Sequence, residues 1–153
     1  MITEKLSWND AESNCKKEGG SLASVQSSIE NEFLLELASQ YKNRIPYWIG
    51  ANDLVNEGQF VWSDGVPLSY SNWKKGHPYK EQRKRNCVSF WRVDGHEWDG
   101  VWTDNPCQTK TESFCKISKA TPEPEPENKG DPEQGMHGEN KSDYGWRNIV
   151  GLG

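Results

Sequence analysis

The chain has 153 residues, of which 27% are charged and 33% hydrophobic, and its formal net charge is −5. This length supports one domain with a modest core, and the acidic balance excludes a general nucleic-acid binder, because phosphate binding requires a surplus of lysine and arginine. No apolar run is long enough to cross a bilayer, and no charged-then-apolar leader follows Met1, so the chain as written lacks a secretion signal.

Two helices are predicted near the start of the chain. Ser7 is placed to cap the first helix, with Asp10 three residues later in a capping-box-like arrangement. Helical spacing puts Trp8 and Cys15 on its buried face. A second helix begins after a cap at Ser27 or Ser28. Its apolar stripe predicts a core face made of Ile29, Phe33, Leu34, Leu37, Ala38 and Tyr41.

Short extended runs follow the helices. Their aromatic and β-branched residues predict strands at Tyr47–Gly50, Gln59–Trp62, Cys87–Trp91 and Ser113–Ile117. A long loop over residues 66–86 joins the second and third of these runs, and such a loop in a compact domain is usually functional. Two helices followed by several strands predict the α+β class.

The composition changes after residue 118. From Thr121 onward, proline, glutamate and glycine dominate, and such a segment buries too little apolar surface to fold. We therefore expect a domain over residues 1–118 and a flexible Pro/Glu-rich linker or tail over residues 119–153. The apolar residues around Trp146 are compatible with the start of a further domain or with a frayed terminus. Asn140 begins an N-glycosylation triplet.

The chain has four cysteines, Cys15, Cys87, Cys107 and Cys115. None lies in a C-x-x-C pair of the kind that binds zinc or exchanges thiols. Two structural disulfides, and hence an oxidising compartment, are favoured over free buried thiols. The sequence leaves three connectivities open.

A series of aromatic, glycine and cysteine landmarks occurs in one order along the chain. They are Trp8, Cys15, Trp48-Ile49-Gly50, Phe60-x-Trp62-x-Asp64-Gly65, Asn72-Trp73, Asn86-Cys87, Trp102-x-Asp104-x-x-Cys107 and Phe114-Cys115. This order resembles a C-type lectin-like domain over residues 1 to about 118. The resemblance implies a fold of two helices and short antiparallel strands with a long loop, and disulfides Cys15–Cys115 and Cys87–Cys107.

The resemblance also implies a strand well upstream of the first helix. Only six residues precede Ser7, so we expect a truncated first strand and an exposed edge on the terminal strand. The linker after residue 118 and the apolar residues around Trp146 resemble the spacing between consecutive domains in mannose-receptor-like tandem receptors.

Sugar-binding members of this family hold one calcium ion through a Glu-Pro-Asn or Gln-Pro-Asp triplet, a glutamate before a cysteine, and an Asn-Asp pair. At these positions the chain has His77-Pro78-Tyr79, Arg85 and Thr103-Asp104. Asp104 is therefore the only clear calcium ligand that remains, and we expect a degenerate primary site and no bound cofactor.

Two further carboxylates, Asp53 and Glu57, match positions that hold an auxiliary calcium in some relatives. We interpret them as solvated loop carboxylates. The alternative is that Asp53, Glu57 or Asp104 binds Ca²⁺.

The long loop carries a basic patch on an otherwise acidic chain. Clustered cations raise the local potential for an anionic partner, and the alternative is a solvated charge run that keeps the loop soluble. Lys74 belongs to this run. The candidate ligand-binding residues are Lys75, His77, Tyr79, Lys80, Arg83, Lys84, Arg85, Trp102 and Asp104.

These features predict an extracellular or cell-surface recognition module, acting in signalling or endocytosis, that binds a protein or anionic glycan without Ca²⁺. The alternative is a Ca²⁺-dependent carbohydrate-binding domain of an endocytic mannose-receptor-like protein. An enzyme is disfavoured because His77, His96 and His137 lack zincin spacing and no nucleophile elbow occurs. Membrane attachment is expected only through regions outside this chain.

Overall fold

The computed structural model describes residues 1–41, 45–79 and 84–117. The predictions for residues 119–153, including Asn140, lie outside this part of the chain. The described elements, in chain order, are β1 Ile2–Leu6, α1 Trp8–Lys17, β2 Gly20–Leu22, α2 Ser28–Ser39, β3 Pro46–Asn52, β4 Val61–Trp62, β5 Cys87–Trp91, β6 Trp102–Asn105, β7 Thr111–Ser113 and β8 Cys115–Ile117. The α+β class is confirmed. No helix within the described ranges has the length and apolar character needed to cross a bilayer.

The main sheet has the strand order β1-β7-β3-β5-β6, and β4 pairs with β3. The β3–β7 pair is parallel and the other pairs are antiparallel. A second sheet contains only β2 and β8. Strand β6 therefore forms one edge of the main sheet, opposite β1, and the long loop lies next to β6.

Strand β7 is paired with β1 and does not have the exposed edge that was expected. Five residues, Ile2–Leu6, are enough to form β1 and to pair with β7. The single strand predicted at Ser113–Ile117 is in fact two strands, because Phe114 separates them. The Phe114 backbone N–H donates to the Trp48 carbonyl and its carbonyl accepts from Ala23. The expectation of a strand without a neighbour is therefore wrong.

Both helices begin at the predicted serine caps. Ser7 Oγ accepts a hydrogen bond from the Asp10 N–H and donates to the Asp10 carboxylate. Ser27 Oγ accepts from the Glu30 N–H at the start of α2. Trp8 and Cys15 are buried on one face of α1 as predicted.

The apolar stripe predicted on α2 is only partly buried. Leu34 and Ala38 lie in the core, but Ile29 is 76% exposed and Phe33 is 37% exposed. The residue at the centre of the inward face is Asn31, whose amide is bonded within the core. Ile29 and Phe33 each lie two residues from Asn31, about 200° around the helix. They consequently point away from the core.

Two disulfides connect the elements with the pairing that the resemblance implies. Cys15–Cys115 joins α1 to β8, and Cys87–Cys107 joins β5 to the segment after β6. The first bridge lies in a cluster of buried side chains with Trp8 and Trp48. The first bridge therefore fixes α1 to β8, and the second fixes the segment after β6 to the start of β5.

Candidate functional site

The long loop is fixed to the edge strand β6 by backbone hydrogen bonds. The Trp102 N–H donates to the Asn72 carbonyl at 2.8 Å, and the Lys74 N–H donates to the Trp102 carbonyl at 2.9 Å. This short parallel pairing sets the path of the loop as it leaves the core. The residues that follow are thereby brought over β6.

Trp102 supports this arrangement from inside the core. Its side chain is fully buried, and its indole N–H donates to the Asn31 side-chain oxygen at 2.8 Å. The Asn31 and Asn72 amides both donate to the Gly100 carbonyl, at 2.9 and 2.8 Å. Trp102 was predicted as a ligand-binding residue, but a side chain without exposed surface does not contact a ligand. Its role is to position β6 and the loop.

Asp104 is buried and its carboxylate is neutralised within the protein. The residue is only 1% exposed. Its Oδ1 lies 2.7 Å from His77 Nδ1 and accepts a hydrogen bond from the Tyr79 N–H at 3.1 Å. Its Oδ2 lies 3.5 Å from Arg85 Nε, which also donates to the Asp104 carbonyl at 3.1 Å. Because an ionised carboxylate only accepts, His77 Nδ1 carries the hydrogen.

His77, Tyr79 and Arg85 also contact one another. The rings of His77 and Tyr79 are 4.2 Å apart, and the Arg85 guanidinium carbon lies 4.9 Å from the Tyr79 ring centroid. The His77–Pro78 peptide bond is cis. A guanidinium at this distance from a phenol ring is attracted by the ring's negative face. The loop thus packs its imidazole, phenol and guanidinium over one buried carboxylate.

These neighbours do not fit a calcium ion at Asp104. Calcium takes six to eight oxygen ligands, whereas the groups that surround this carboxylate are an imidazole, a backbone N–H and a guanidinium. Within residues 1–41, 45–79 and 84–117, no group of three or more His, Cys, Asp or Glu side chains is placed to hold a metal.

Asp53 and Glu57 lie in a separate turn next to Asn86. The Asn86 side-chain amide donates to Glu57 Oε2 at 3.1 Å, and the Gly58 N–H donates to Asp53 Oδ2 at 2.7 Å. Asp53 is buried, and its Oδ1 has no hydrogen-bond partner in the described ranges. The interpretation of both carboxylates as solvated is therefore wrong for Asp53 and holds for the exposed Glu57.

A groove of about 200 Å³ opens beside the Asp104 cluster. The loop contributes Lys74, His77 and Tyr79, and the strands contribute Trp91, Thr103 and Asn105. Arg85 and Trp98 complete its lining. Cationic and aromatic side chains therefore predominate in the described lining of this groove, and no lining residue within residues 1–41, 45–79 and 84–117 is acidic.

The strand residues reach the groove because of strand alternation. Thr103 pairs with Ser89 and Asn105 pairs with Cys87, so the side chains of Ser89, Trp91, Thr103 and Asn105 share a face. The Trp91 indole N–H donates to Thr103 Oγ1, and the Asn105 amide donates to Ser89 Oγ, each at 2.7 Å. The sequence prediction omitted Trp91 and Asn105. Two-residue periodicity along two paired strands is the signal that identifies them.

Lys74 and Trp98 form the outer part of the groove. The Lys74 ammonium lies 3.2 Å from the centroid of the Trp98 ring, and Trp98 remains 38% exposed. An indole is the ring that attracts a cation most strongly. The contact holds the ammonium in one place at the side of the groove.

Apart from the buried Trp102, the predicted ligand-binding residues thus separate into three groups. His77, Tyr79 and Arg85 meet over Asp104, as described above. Lys75 and Lys84 are exposed but are not part of the groove lining. Lys80 and Arg83 lie outside the described residues.

Comparisons with known proteins agree with this architecture. The family model for the lectin C-type domain matches residues 4–117. C-type mannose receptor 2 from Homo sapiens is 35% identical over 120 residues, which cover 76% of this chain and 7% of the receptor. A C-type lectin mannose-binding isoform from Oxyuranus scutellatus is 35% identical over 119 residues, covering 76% of this chain and 73% of that protein.

A solved structure of a calcium-independent type II antifreeze protein superposes with a TM-score of 0.64 at 27% identity, covering 74% of this chain and 80% of the other. The matched residues include every helix and nearly every strand described above, both disulfides and the loop that covers Asp104. The chain therefore belongs to the C-type lectin domain family.

Proposed function

We propose that this domain recognises an extracellular protein or anionic glycan through the surface of the long loop, without calcium. The observation that carries the proposal is the buried Asp104 carboxylate, which is already bonded to His77, Tyr79 and Arg85. The position that calcium would require is covered by groups of the protein itself.

The electrostatics of this cluster oppose a cation. Two unit charges of the same sign repel by about 4 kcal/mol at a separation of 4 Å and an effective dielectric constant of about 20. A divalent ion at Asp104 would meet the Arg85 guanidinium at this range, because Arg85 Nε is 3.5 Å from the carboxylate. Calcium would also have to displace the hydrogen bonds from His77 and Tyr79.

The comparisons support recognition as the role of this domain. The similar proteins include a lectin, a receptor and an antifreeze protein described as calcium-independent. This antifreeze protein is an example of a similar fold that is described as calcium-independent. Two disulfides in the structure support an oxidising, extracellular setting.

The proposal is tested on a glycan and protein array, probed once in millimolar calcium and once with an excess of EDTA. Binding through the loop should be the same in both conditions and should weaken as salt is raised, because exposed charges are screened. An Arg85→Gln variant should bind more weakly, and the exposed Lys5→Gln variant should bind as the wild type does. Loss of all binding on chelation would contradict the proposal.

A calcium-dependent lectin is the second candidate, and one observation favours it. Asp53 Oδ1 is buried without a partner in the described ranges, and the carboxylate of Glu57 lies against the neighbouring Asn86. An unpartnered buried carboxylate oxygen is a natural cation ligand. The similar proteins from human and snake are named for mannose.

This second candidate is examined by thermal unfolding with calcium or magnesium. A midpoint that rises with calcium in the wild type and not in Asp53→Asn would favour it. An unchanged midpoint in both proteins would favour calcium-independent recognition. Because the chain spans only 7% of the human receptor, membership of a tandem endocytic receptor is part of this proposal.

A further inference from the structure

We propose that the groove between the long loop and strands β5 and β6 binds one anionic monosaccharide unit, such as a sulfated pyranose. This inference rests on the proposed function and specifies its ligand class and its place. The residues that carry it are Lys74, Trp98, Asn105 and Arg85, which line the groove.

The charge of the groove indicates an anionic ligand. Lys74 forms no ion pair and donates no side-chain hydrogen bond within the described ranges, and its ammonium contacts the Trp98 ring. Because Asp104 is buried under His77 and Arg85, no carboxylate lies among the described residues that line the groove. Among these residues, an entering anion meets the cations Lys74 and Arg85.

The ammonium of Lys74 is also held in position before a ligand arrives. A lysine side chain normally loses considerable rotamer freedom when it is fixed by a ligand. Here its ammonium is already 3.2 Å from the Trp98 ring centroid. The entropy cost of an ion pair with a bound anion is reduced accordingly.

The remaining lining favours a sugar over a bare anion. Trp98 is 38% exposed, and the part of its indole that Lys74 does not cover offers an apolar surface against which the C–H groups of a pyranose ring pack. The Asn105 amide nitrogen is bonded to Ser89 and Thr103, whereas its side-chain oxygen accepts no hydrogen bond from the described residues. This oxygen is available for a sugar hydroxyl.

The volume of the groove suits one sugar unit. Its volume of about 200 Å³ lies below the range of about 300–1,000 Å³ that is typical for drug-sized ligands. One charged pyranose suits this space better than an extended peptide, which would need a longer groove or a free strand edge. At the edge of β6, the Arg85 side chain already donates a hydrogen bond to the Asp104 carbonyl. A peptide strand therefore cannot form a regular ladder of backbone hydrogen bonds along this edge.

The test is a titration of the ¹⁵N-labelled protein, with EDTA in excess, by glucose 6-sulfate. The indole N–H resonances of Trp91 and Trp98 report on the groove. Three control ligands are titrated in the same way. Glucose is the uncharged sugar without the sulfate group, inorganic sulfate is the anion without the sugar, and a glutamate-rich peptide represents an acidic protein. We expect saturable indole shifts with glucose 6-sulfate, at an affinity at least about tenfold above that of glucose or sulfate.

Variants at Lys74 separate charge from structure. Lys74→Gln should weaken glucose 6-sulfate binding by about tenfold or more, as expected for the loss of one hydrogen bond to a charged group, and Lys74→Arg should retain it. The matched control is Lys5→Gln, which removes an exposed lysine from β1 at the opposite edge of the sheet. It should leave the affinity unchanged. If Lys74→Gln fails to fold, Lys74→Arg and Trp98→Phe still report on the groove.

Several results would overturn the inference. Inorganic sulfate that binds as tightly as glucose 6-sulfate would reduce the groove to an anion site, and a glutamate-rich peptide that binds more tightly than the sugar would assign it to a protein partner. The absence of indole shifts would show that no such sugar binds there. These results leave calcium-independent recognition on the array intact, so the inference and the proposed function fail separately.

Discussion

Replacing Asp104 by asparagine should destabilise the domain markedly. The substitution keeps the shape of the side chain but removes the negative charge of its carboxylate. The carboxylate is 1% exposed and contacts His77, the Tyr79 N–H and Arg85. Removing one partner of a buried ion pair costs about 3–5 kcal/mol. The Arg85 side chain is 25% exposed, so water compensates part of this loss. We expect Asp104→Asn to lower the free energy of unfolding by about 2–4 kcal/mol.

Urea unfolding followed by tryptophan fluorescence, with the disulfides intact, measures this loss. With a slope of about 2 kcal/mol per molar urea, in the middle of the usual range, the midpoint should fall by about 1–2 M. Asp94→Asn is the matched control, since Asp94 is 75% exposed in its pair with Arg92, and should change stability by less than about 0.5 kcal/mol. A loss at Asp104 no larger than at Asp94 would refute the reasoning. So would a calcium-dependent rise of the wild-type midpoint that Asp104→Asn abolishes.

Three further substitutions test the core that positions the site, and urea unfolding checks each of them. Burial raises the pKa of Tyr47 to about 12, which favours the neutral phenol in the folded state. The stability from this effect is complete below the unfolded pKa of about 10 and is lost as pH rises towards about 12, so wild-type stability should fall more steeply above pH 10 than that of Tyr47→Phe. Asn31→Ala leaves the Trp102 indole N–H without its acceptor and should cost about 1–3 kcal/mol. Gly50→Ala places a Cβ 2.7 Å from the Leu22 carbonyl oxygen and should cost about 1–3 kcal/mol or more; an unchanged midpoint in either of the last two would contradict the packing described.

Much of the scaffold was predictable because local signals and landmark order agreed. The serine caps at Ser7 and Ser27 start both helices, and the strands at Trp48 and Phe90 follow aromatic and β-branched runs. The cysteine pairing came from the resemblance and is present in the structure. Local propensity and burial act together at these positions.

Other features depend on tertiary contacts that a single sequence does not show. Strand β6 is Trp102–Asn105, and three of its four residues, Thr103, Asp104 and Asn105, are polar. This composition does not suggest a strand, and the strand forms because it pairs with β5. The inward face of α2 is centred on Asn31, a polar residue, because Trp102 needs its acceptor there. Hydropathy alone therefore places the face incorrectly.

The candidate site was predicted in its chemistry more than in its geometry. The replacement of calcium ligands by His77 and Arg85 is readable from the sequence, but the contacts of these two side chains with one buried carboxylate are not. The groove itself combines loop and strand residues far apart in the chain, such as Lys74 and Asn105. Only the fold brings them together.

The alternation of strand β6 has a consequence for how this domain diversifies. Trp102 and Asp104 face the interior and keep the architecture intact, whereas Thr103 and Asn105 face the groove. Asn105 is only partly buried, so a change there would alter the groove lining at small cost to folding. Thr103 is 4% exposed and accepts the Trp91 indole hydrogen bond, so a change there, as at either inward position, puts folding at risk. Three of these four consecutive residues therefore maintain the fold, and the fourth, Asn105, is the one at which a duplicated copy of this domain could change its groove without losing its core.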